Sequence, residues 1–269
     1  MISVDSSRCS RCGECVRDCI VHVLRPGEDG VPCVLPEEER FCLNCQHCLA
    51  VCPWGAVSCN GVSAADAAPI GTVPSAAATA ALLRQRRSCR QWRDAPIDEA
   101  TWKALQDALA WTPTGCNVHS LRFTLVRDRG EMDFFRGEIA RSLKKPAVNA
   151  LLRLAYSGYR RYLDEIARGE DVIFRNAPHM IVASVPRSAP CREADPWIAL
   201  SYFDVLAQSL GLGTCWCGFG VHAFKWVKSM RARLALPKGY EVGAVLLFGR
   251  PGVDYRRQTR PAPMPVDVL

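Results

Sequence analysis

The chain has 269 residues, 49% of them hydrophobic, which is enough apolar material for one large domain or two unequal ones. Its net charge of +7 raises the question of nucleic-acid binding, but the basic residues are scattered and lack interleaved aromatic residues, so we predict no nucleic-acid partner. The longest apolar runs, such as 243–248, fall far short of the roughly 20 residues that cross a bilayer, so we also predict no membrane span.

The chain contains fifteen cysteines, and its first eleven residues are polar rather than a charged start followed by an apolar signal core. We therefore expect a cytoplasmic protein, in which thiols stay reduced and clustered cysteines hold metal more often than they form disulfides.

Residues 1–59 are rich in cysteine and turn-forming residues and need an added organiser to form a core. One motif, CxxCxxCxxxC, occurs twice here: at Cys9, Cys12, Cys15 and Cys19, and at Cys42, Cys45, Cys48 and Cys52. Three cysteines spaced by three wrap one cubane, whereas the fourth ligates the other. We therefore predict two [4Fe–4S] clusters, one held by Cys9, Cys12, Cys15 and Cys52 and the other by Cys42, Cys45, Cys48 and Cys19.

This repeat resembles the bacterial two-cluster ferredoxins, although Ile20 stands where a proline usually follows the first quartet. The alternative is a pair of structural zinc sites, because CxxC pairs also suit tetrahedral zinc. The third cysteine of each run favours iron and sulfur instead. The other cysteines lack this spacing and are interpreted as small buried hydrophobic residues. They are Cys33, Cys59, Cys89, Cys116, Cys191, Cys215 and Cys217.

Residues 60–77 are mostly Ala, Ser, Gly and Pro and form a predicted linker, so residues 78–269 form a second domain. Helices are predicted at 76–87, after Asp98 as N-cap up to Thr112-Pro113, and at 197–210 before Gly211. Strands are predicted at 121–126, 179–185 and 241–248. Helices and strands do not alternate regularly, which indicates an α+β fold.

Three segments of this domain occur in an informative order: RRSCRQW at 86–92, TPTGCNVHSLRF at 112–123 and GLGTCWCGFG at 211–220. Together they resemble the FMN-dependent nitroreductase family. That resemblance implies a mixed sheet with flanking helices, a homodimer and FMN at the subunit interface. In the second segment, His119, Ser120 and Leu121 replace the family's Gln, Pro and Trp. A surface or partly buried histidine is as good an interpretation of His119 as a proton donor.

The resemblance also implies the residues that contact FMN. In the first segment they are Arg86, Arg87, Ser88 and Arg90. In the second they are Pro113, Thr114, Gly115 and Asn117, and in the third Gly211, Leu212, Gly213 and Thr214. Arg257 and Arg260 of the basic tail are the candidates for a final phosphate contact. No side chain is predicted to be catalytic, because the flavin N5 would carry the chemistry.

Clusters joined to a flavin domain predict an oxidoreductase in which single electrons pass to FMN. FMN would then reduce a small electron-poor acceptor, such as a nitroaromatic, a quinone or an activated alkene. The donor would be reduced ferredoxin or NAD(P)H. The alternative is an electron-transfer protein that relays electrons between protein partners and has no organic substrate of its own.

Overall fold

The computed structural model describes residues 2–155, 158 and 160–269. They form two compact units. The first comprises Met1–Val73 together with Cys116–Val118, and the second comprises Pro74–Gly115 and His119–Leu269.

The first unit contains short elements joined by turns. Its elements are β1 (Ile2–Val4), α1 (Glu14–Arg17), β2 (Arg25–Pro26), β3 (Pro32–Cys33), α2 (His47–Ala50) and β4 (Val57–Cys59). β1 pairs antiparallel with β4, and β2 pairs antiparallel with β3. A small core of Leu24, Val57 and three cysteines fills the interior, so very little apolar surface holds this unit together.

The two cysteine repeats adopt the same backbone path. The second residue after the first cysteine has a positive φ in both, 61° at Arg11 and 52° at Asn44. The left-handed residue before each short helix is Gly13 in one repeat and Gln46 in the other. Left-handed non-glycine residues are uncommon, so their recurrence at matching positions shows that the repeat is structural as well as sequential.

The second unit is an α+β domain. Its helices are α3 (Ala76–Gln85), α4 (Glu99–Ala108), α5 (Arg129–Leu143), α6 (Pro146–Ala155), α7 (Arg160–Ala167), α8 (Asp195–Ser209), α9 (Gly218–Trp226) and α10 (Lys228–Arg233). Its strands are β5 (Arg122–Val126), β6 (His179–Pro186), β7 (Gly213–Trp216) and β8 (Tyr240–Gly249). Asp98 caps α4 through the Thr101 amide, as the sequence predicts.

The four strands form one sheet in the order β5-β6-β8-β7, with helices on both faces. Met180 and Val182 of β6 pack into one core with α5, α9 and α10. Ile181 and Ala183 point the other way, into a core with α4 and α8. Because both faces are buried, β6 is a continuous apolar run rather than an alternating one.

All three strand pairings in this sheet are antiparallel, which corrects the predicted mixed sheet. Outside the strands, Ser88 and Thr214 form an isolated parallel bridge. A bulge lies opposite Ala183 and Ser184, where Gly243 has no partner. A Cβ on Gly243 would lie 2.4 Å from the Pro196 Cγ, so only glycine lets α8 pack this closely.

Within the described part of the chain, none of the helices is both long and apolar enough to cross a membrane.

Candidate functional site

The first predicted cysteine set surrounds a small cavity in the N-terminal unit. Cys9, Cys12, Cys15 and Cys52 all line it, together with Trp54. The cavity volume, with open solvent left out, is about 10 Å³. Thus the three cysteines of one repeat and the last cysteine of the other face one space, which is the crossed arrangement that the spacing predicts.

Backbone amides point at cysteine sulfurs in both repeats. The Arg11 amide donates to the Cys9 Sγ over 3.4 Å, and the Asn44 amide donates to the Cys42 Sγ over the same distance. The Ala56 amide donates to the Cys52 Sγ over 3.3 Å. The bonds to Cys9 and Cys42 occupy matching positions of the two repeats.

The second predicted set is Cys42, Cys45, Cys48 and Cys19, called here the second cluster site. Burial, together with smaller effects of the neighbouring thiols of Cys59, Cys45 and Cys42, raises the pKa of the Cys48 thiol to about 12. Cys19 packs against the same buried group of side chains. Among the residues that the structure describes, no three His, Cys, Asp or Glu side chains converge closely enough to hold a single metal ion.

In the second unit, the segment after α3 leads from Arg86 into an extended stretch beside β7. The Cys89 amide donates to the Thr214 carbonyl over 2.7 Å. A Cβ on Gly213 would lie 2.6 Å from the Cys89 Cβ, so this glycine permits the close approach. The Tyr255 hydroxyl donates to the Ser88 carbonyl over 3.3 Å, which joins the segment to the start of the C-terminal tail.

A buried carboxylate on α8 organises this region, and the sequence offered no motif for it. Asp204 is 3% exposed and accepts hydrogen bonds from the Thr214 hydroxyl and the Trp216 indole. The Arg86 Nη1 lies 3.8 Å from the Asp204 Oδ2. That nitrogen is buried and makes no hydrogen bond in the described structure. Asp204 therefore holds the Arg86 side chain in place, and the Arg86 Nη1 still has the capacity to donate a hydrogen bond to a ligand.

Three arginines carry charges that act on the Cys215 thiol. Burial raises the pKa of the Cys215 thiol, while the charges of Arg90, Arg175 and Arg86 act in the opposite direction. Arg175 has a left-handed backbone, with φ at 53°, and it lies outside the three segments that resemble the family. We call Arg86, Arg90 and Arg175 the arginine cluster. Guanidinium forks bind phosphate well, so the cluster has the chemistry of an anion site.

Two predicted flavin contacts, Arg87 and Ser88, make other bonds. The Arg87 Nη1 donates to the Arg84 and Arg86 carbonyls, over 2.8 and 2.6 Å. Ser88 forms the bridge to Thr214. In the structure, Arg87 therefore stabilises the end of α3, and Ser88 joins the segment after it to β7.

The second segment divides between the two units. Pro113 follows the buried Thr112, and the Thr114 hydroxyl accepts a hydrogen bond from the His119 amide. The Gly115 amide donates to the Asp195 Oδ1 over 3.0 Å. Asn117 belongs to the N-terminal unit, where its Nδ2 donates to the Leu43 and Asn44 carbonyls over 3.0 and 3.1 Å.

Of the third segment, only the first residue forms the predicted turn. Gly211 has a φ of 74° and ends α8, whereas Leu212 is buried in the core. Gly213 and Thr214 already belong to β7. Arg257 and Arg260 lie exposed on the irregular C-terminal tail.

A larger cleft opens in the second unit between α5, α7 and α9. Ile139, Tyr162, Phe219 and Trp226 are among its mainly apolar walls, with Arg141 and Lys145 at its lining. Such a cleft suits a hydrophobic or aromatic group better than a sugar.

The nitroreductase family model matches residues 83–250, which is most of the chain. The fold is similar to that of a nitroreductase with bound FMN from Bacteroides fragilis, at 20% identity and a TM-score of 0.58, covering 71% of this chain and 98% of that one. A nitroreductase with bound FMN from Desulfitobacterium hafniense is 25% identical, with a TM-score of 0.54 and coverage of 70% and 94%.

An FMN-dependent nitroreductase from Clostridium difficile has the same fold, at 19% identity, a TM-score of 0.53 and coverage of 71% and 98%. No curated protein matches the chain. The family match contains all three segments and all four strands of the large sheet. The chain therefore belongs to the nitroreductase family.

Proposed function

We propose that this chain is an FMN-dependent oxidoreductase whose N-terminal unit carries two [4Fe–4S] clusters. The observation that carries the flavin half of the proposal is the buried Arg86 Nη1, which makes no hydrogen bond among the described residues and lies in an arginine cluster. A phosphate is the acceptor that would complete this site. Membership of the nitroreductase family, with FMN-bound relatives, makes FMN the phosphate ligand we favour.

Arg86, Arg90 and Arg175 would bind the FMN phosphate, and Asp204 would hold Arg86 at the correct angle. The Asp204 carboxylate is shared with the Thr214 hydroxyl and the Trp216 indole, so Arg86 is restrained without being neutralised by a direct fork. When bound, FMN supplies two-electron chemistry and the clusters supply electrons singly. The side chains orient the cofactor, and none of them needs to move a proton.

The two cubanes fit the N-terminal unit on three observations. Four cysteines face one cavity, backbone amides donate to the sulfurs in matching positions of both repeats, and the unit has little apolar core of its own. A tetrahedral zinc ion binds two CxxC pairs, so it does not require a third cysteine at the same spacing. It also does not require the last cysteine of one repeat to lie with the first three of the other, as two cubanes do. We therefore favour iron and sulfur over zinc.

The proposed direction of flow is from reduced ferredoxin or NAD(P)H through the clusters to FMN, and then to a small electron-poor acceptor. A nitroaromatic, a quinone or an activated alkene has the required chemistry. The apolar cleft between α5, α7 and α9 is a surface that such acceptors would suit.

A homodimer is part of the proposal. α8 runs through the core of the second unit, yet its Trp197 and Tyr202 side chains are 44% and 48% exposed. Trp111, after α4, is 81% exposed. Aromatic residues are enriched at protein interfaces, so a second copy is the partner we propose for this surface. Light scattering that gives the mass of one chain would contradict the dimer.

Anaerobic stopped-flow spectroscopy tests the electron path. Reduced ferredoxin should reduce the clusters and then bleach the flavin absorbance within one turnover, and a nitroaromatic should restore it. A Cys12→Ala variant, which removes one predicted ligand, should slow flavin bleaching while FMN stays bound. If wild-type flavin bleaches no faster than it does in the variant, the clusters are not on the path. If flavin is reduced but no organic acceptor restores it, the chain is a relay between proteins.

A further inference from the structure

A thiol outside both quartets lies against the second cluster site. Cys59 is the last residue of β4 and is 1% exposed. Its thiol interacts with those of Cys42 and Cys48. Its Sγ also lies 3.6 Å from the side-chain oxygen of Asn44, in the loop between Cys42 and Cys45. A fifth thiol, itself buried, therefore lies beside two of the four predicted ligands of this site and beside the loop that joins Cys42 to Cys45.

The backbone holds Cys59 in this position. It pairs with Ile2 across the β1–β4 ladder, and its amide donates to the Val62 carbonyl over 2.8 Å. Alternation along β4 sends Val57 and Cys59 into the core and leaves Ser58 between them half-buried. The thiol thus points inward because of the strand register, and not because a loop happens to fold over it.

The first cluster site offers an internal comparison. Cys15 is the counterpart of Cys48 in the repeat, since each is the third cysteine of its run and lies on a short helix. Both are buried, at 6% and 7% exposure. However, the cysteines that line one cavity with Cys15 are Cys9, Cys12 and Cys52, all members of its own set. Beside the second run lies Cys59, which belongs to neither quartet.

We propose that Cys59 is a reserve ligand of the second cluster site, able to take the iron held by Cys42 or Cys48 when either is lost. The inference rests on the proposed function, because it requires a cluster in that site. In such an exchange one iron–sulfur bond breaks and another forms. The Cys59 proton passes to the departing thiolate or to solvent, and the oxidation state of the iron does not change.

The test is the iron and sulfide content of four full-length variants purified without oxygen, beside the wild type. We expect about eight irons per chain in the wild type and Cys59→Ala, and about eight in Cys48→Ala, because Cys59 replaces the lost ligand. The double variant Cys48→Ala/Cys59→Ala should contain about four. Cys15→Ala is the matched control, because the cysteines that line its cavity are the four predicted ligands, and it should also contain about four.

Cys42→Ala, with and without Cys59→Ala, provides an independent second pair if Cys48→Ala does not fold. The inference is overturned if the single variants at the second site lose as much iron as Cys15→Ala does, whether or not Cys59 is present. A wild-type protein that contains zinc, or no sulfide, would overturn the proposed clusters themselves. The two failures are therefore distinguishable in one set of samples.

Discussion

Arg86 combines three properties that rarely occur together on a surface arginine. It ends α3, it pairs with a buried carboxylate, and one of its nitrogens is buried without a hydrogen bond to any residue that the structure describes. Leaving a strong donor unsatisfied costs free energy, which a bound anion would return. A guanidinium fully paired with Asp204 would have fewer donors left for a phosphate.

We predict that Arg86→Ala weakens FMN binding by about 2 kcal/mol, which is roughly a 30-fold rise in Kd. Arg86→Lys should retain part of the affinity, because it keeps the charge but loses the fork. Fluorescence titration of the flavin-free protein measures both. Arg161→Ala is the control, since Arg161 is an exposed residue on α7 paired with Glu165. Equal affinity in Arg86→Ala and the wild type would remove Arg86 from the site.

His179 should make stability depend on pH. Burial lowers its pKa to about 4, and the charges of Arg129 and Arg127 act in the same direction. The unfolded chain binds this proton from about pH 6.5 downward, whereas the folded chain does not. Stability should therefore fall as the pH drops from about 6.5 to 4, by an amount on the order of 1 to 3 kcal/mol.

The matched variant for this prediction is His179→Phe, because His179 already packs against Trp102 and Phe248. Urea unfolding at pH 7 and at pH 5 should show a smaller loss of stability in His179→Phe than in the wild type. Any acid effect on the clusters is common to both proteins. Identical losses would show that His179 does not cause the pH dependence.

At the scale of elements, β7 depends on its first residue. Gly213→Ala would place a Cβ 2.6 Å from the Cys89 Cβ, in a place where two backbones are already hydrogen-bonded. We expect a loss of about 1 to 3 kcal/mol in the free energy of unfolding. Gly137→Ala on α5, where nothing lies within 4 Å, should instead gain about 0.5 to 1 kcal/mol. Urea unfolding of the two variants should move in opposite directions.

The elements that the sequence predicts well are those whose local chemistry agrees with their packing. β6 and β8 are buried on both faces and therefore appear as long apolar runs, and Asp98 is a strong cap. β7 was missed, because four residues with a glycine at the start resemble the turn that Gly211 does form. The mixed sheet was wrong, since strand direction depends on long-range connections that local patterns do not contain.

The candidate site residues also separate into those that local sequence predicts and those that it does not. The cysteines were predicted because their spacing is the one that two cubanes require. Arg86 was predicted because it lies in a basic segment. Asp204, Arg175 and Cys59 were not predicted as site residues, because each approaches its neighbours through tertiary structure. Asn117 was predicted to contact flavin, and its amide nitrogen instead donates to two carbonyls in the second cysteine loop. The flavin contact of Asn117 stays a prediction.

At the scale of the whole molecule, the chain joins two units with different sources of stability. The second unit has two large apolar cores around its sheet. The first has one small core and eight cysteines in two repeats. A chelator or oxygen that removes the proposed clusters should therefore unfold the first unit and leave the second folded. Circular dichroism would show loss of a minor part of the signal, and complete unfolding would contradict the division.

The central claim is that one chain carries both iron–sulfur clusters and a flavin. Elemental and cofactor analysis of protein purified without oxygen tests it most directly. We predict about eight irons, about eight sulfides and one FMN per chain. Zinc in place of iron would contradict this prediction. So would purified protein that contains no FMN and binds none when FMN is added in the titrations.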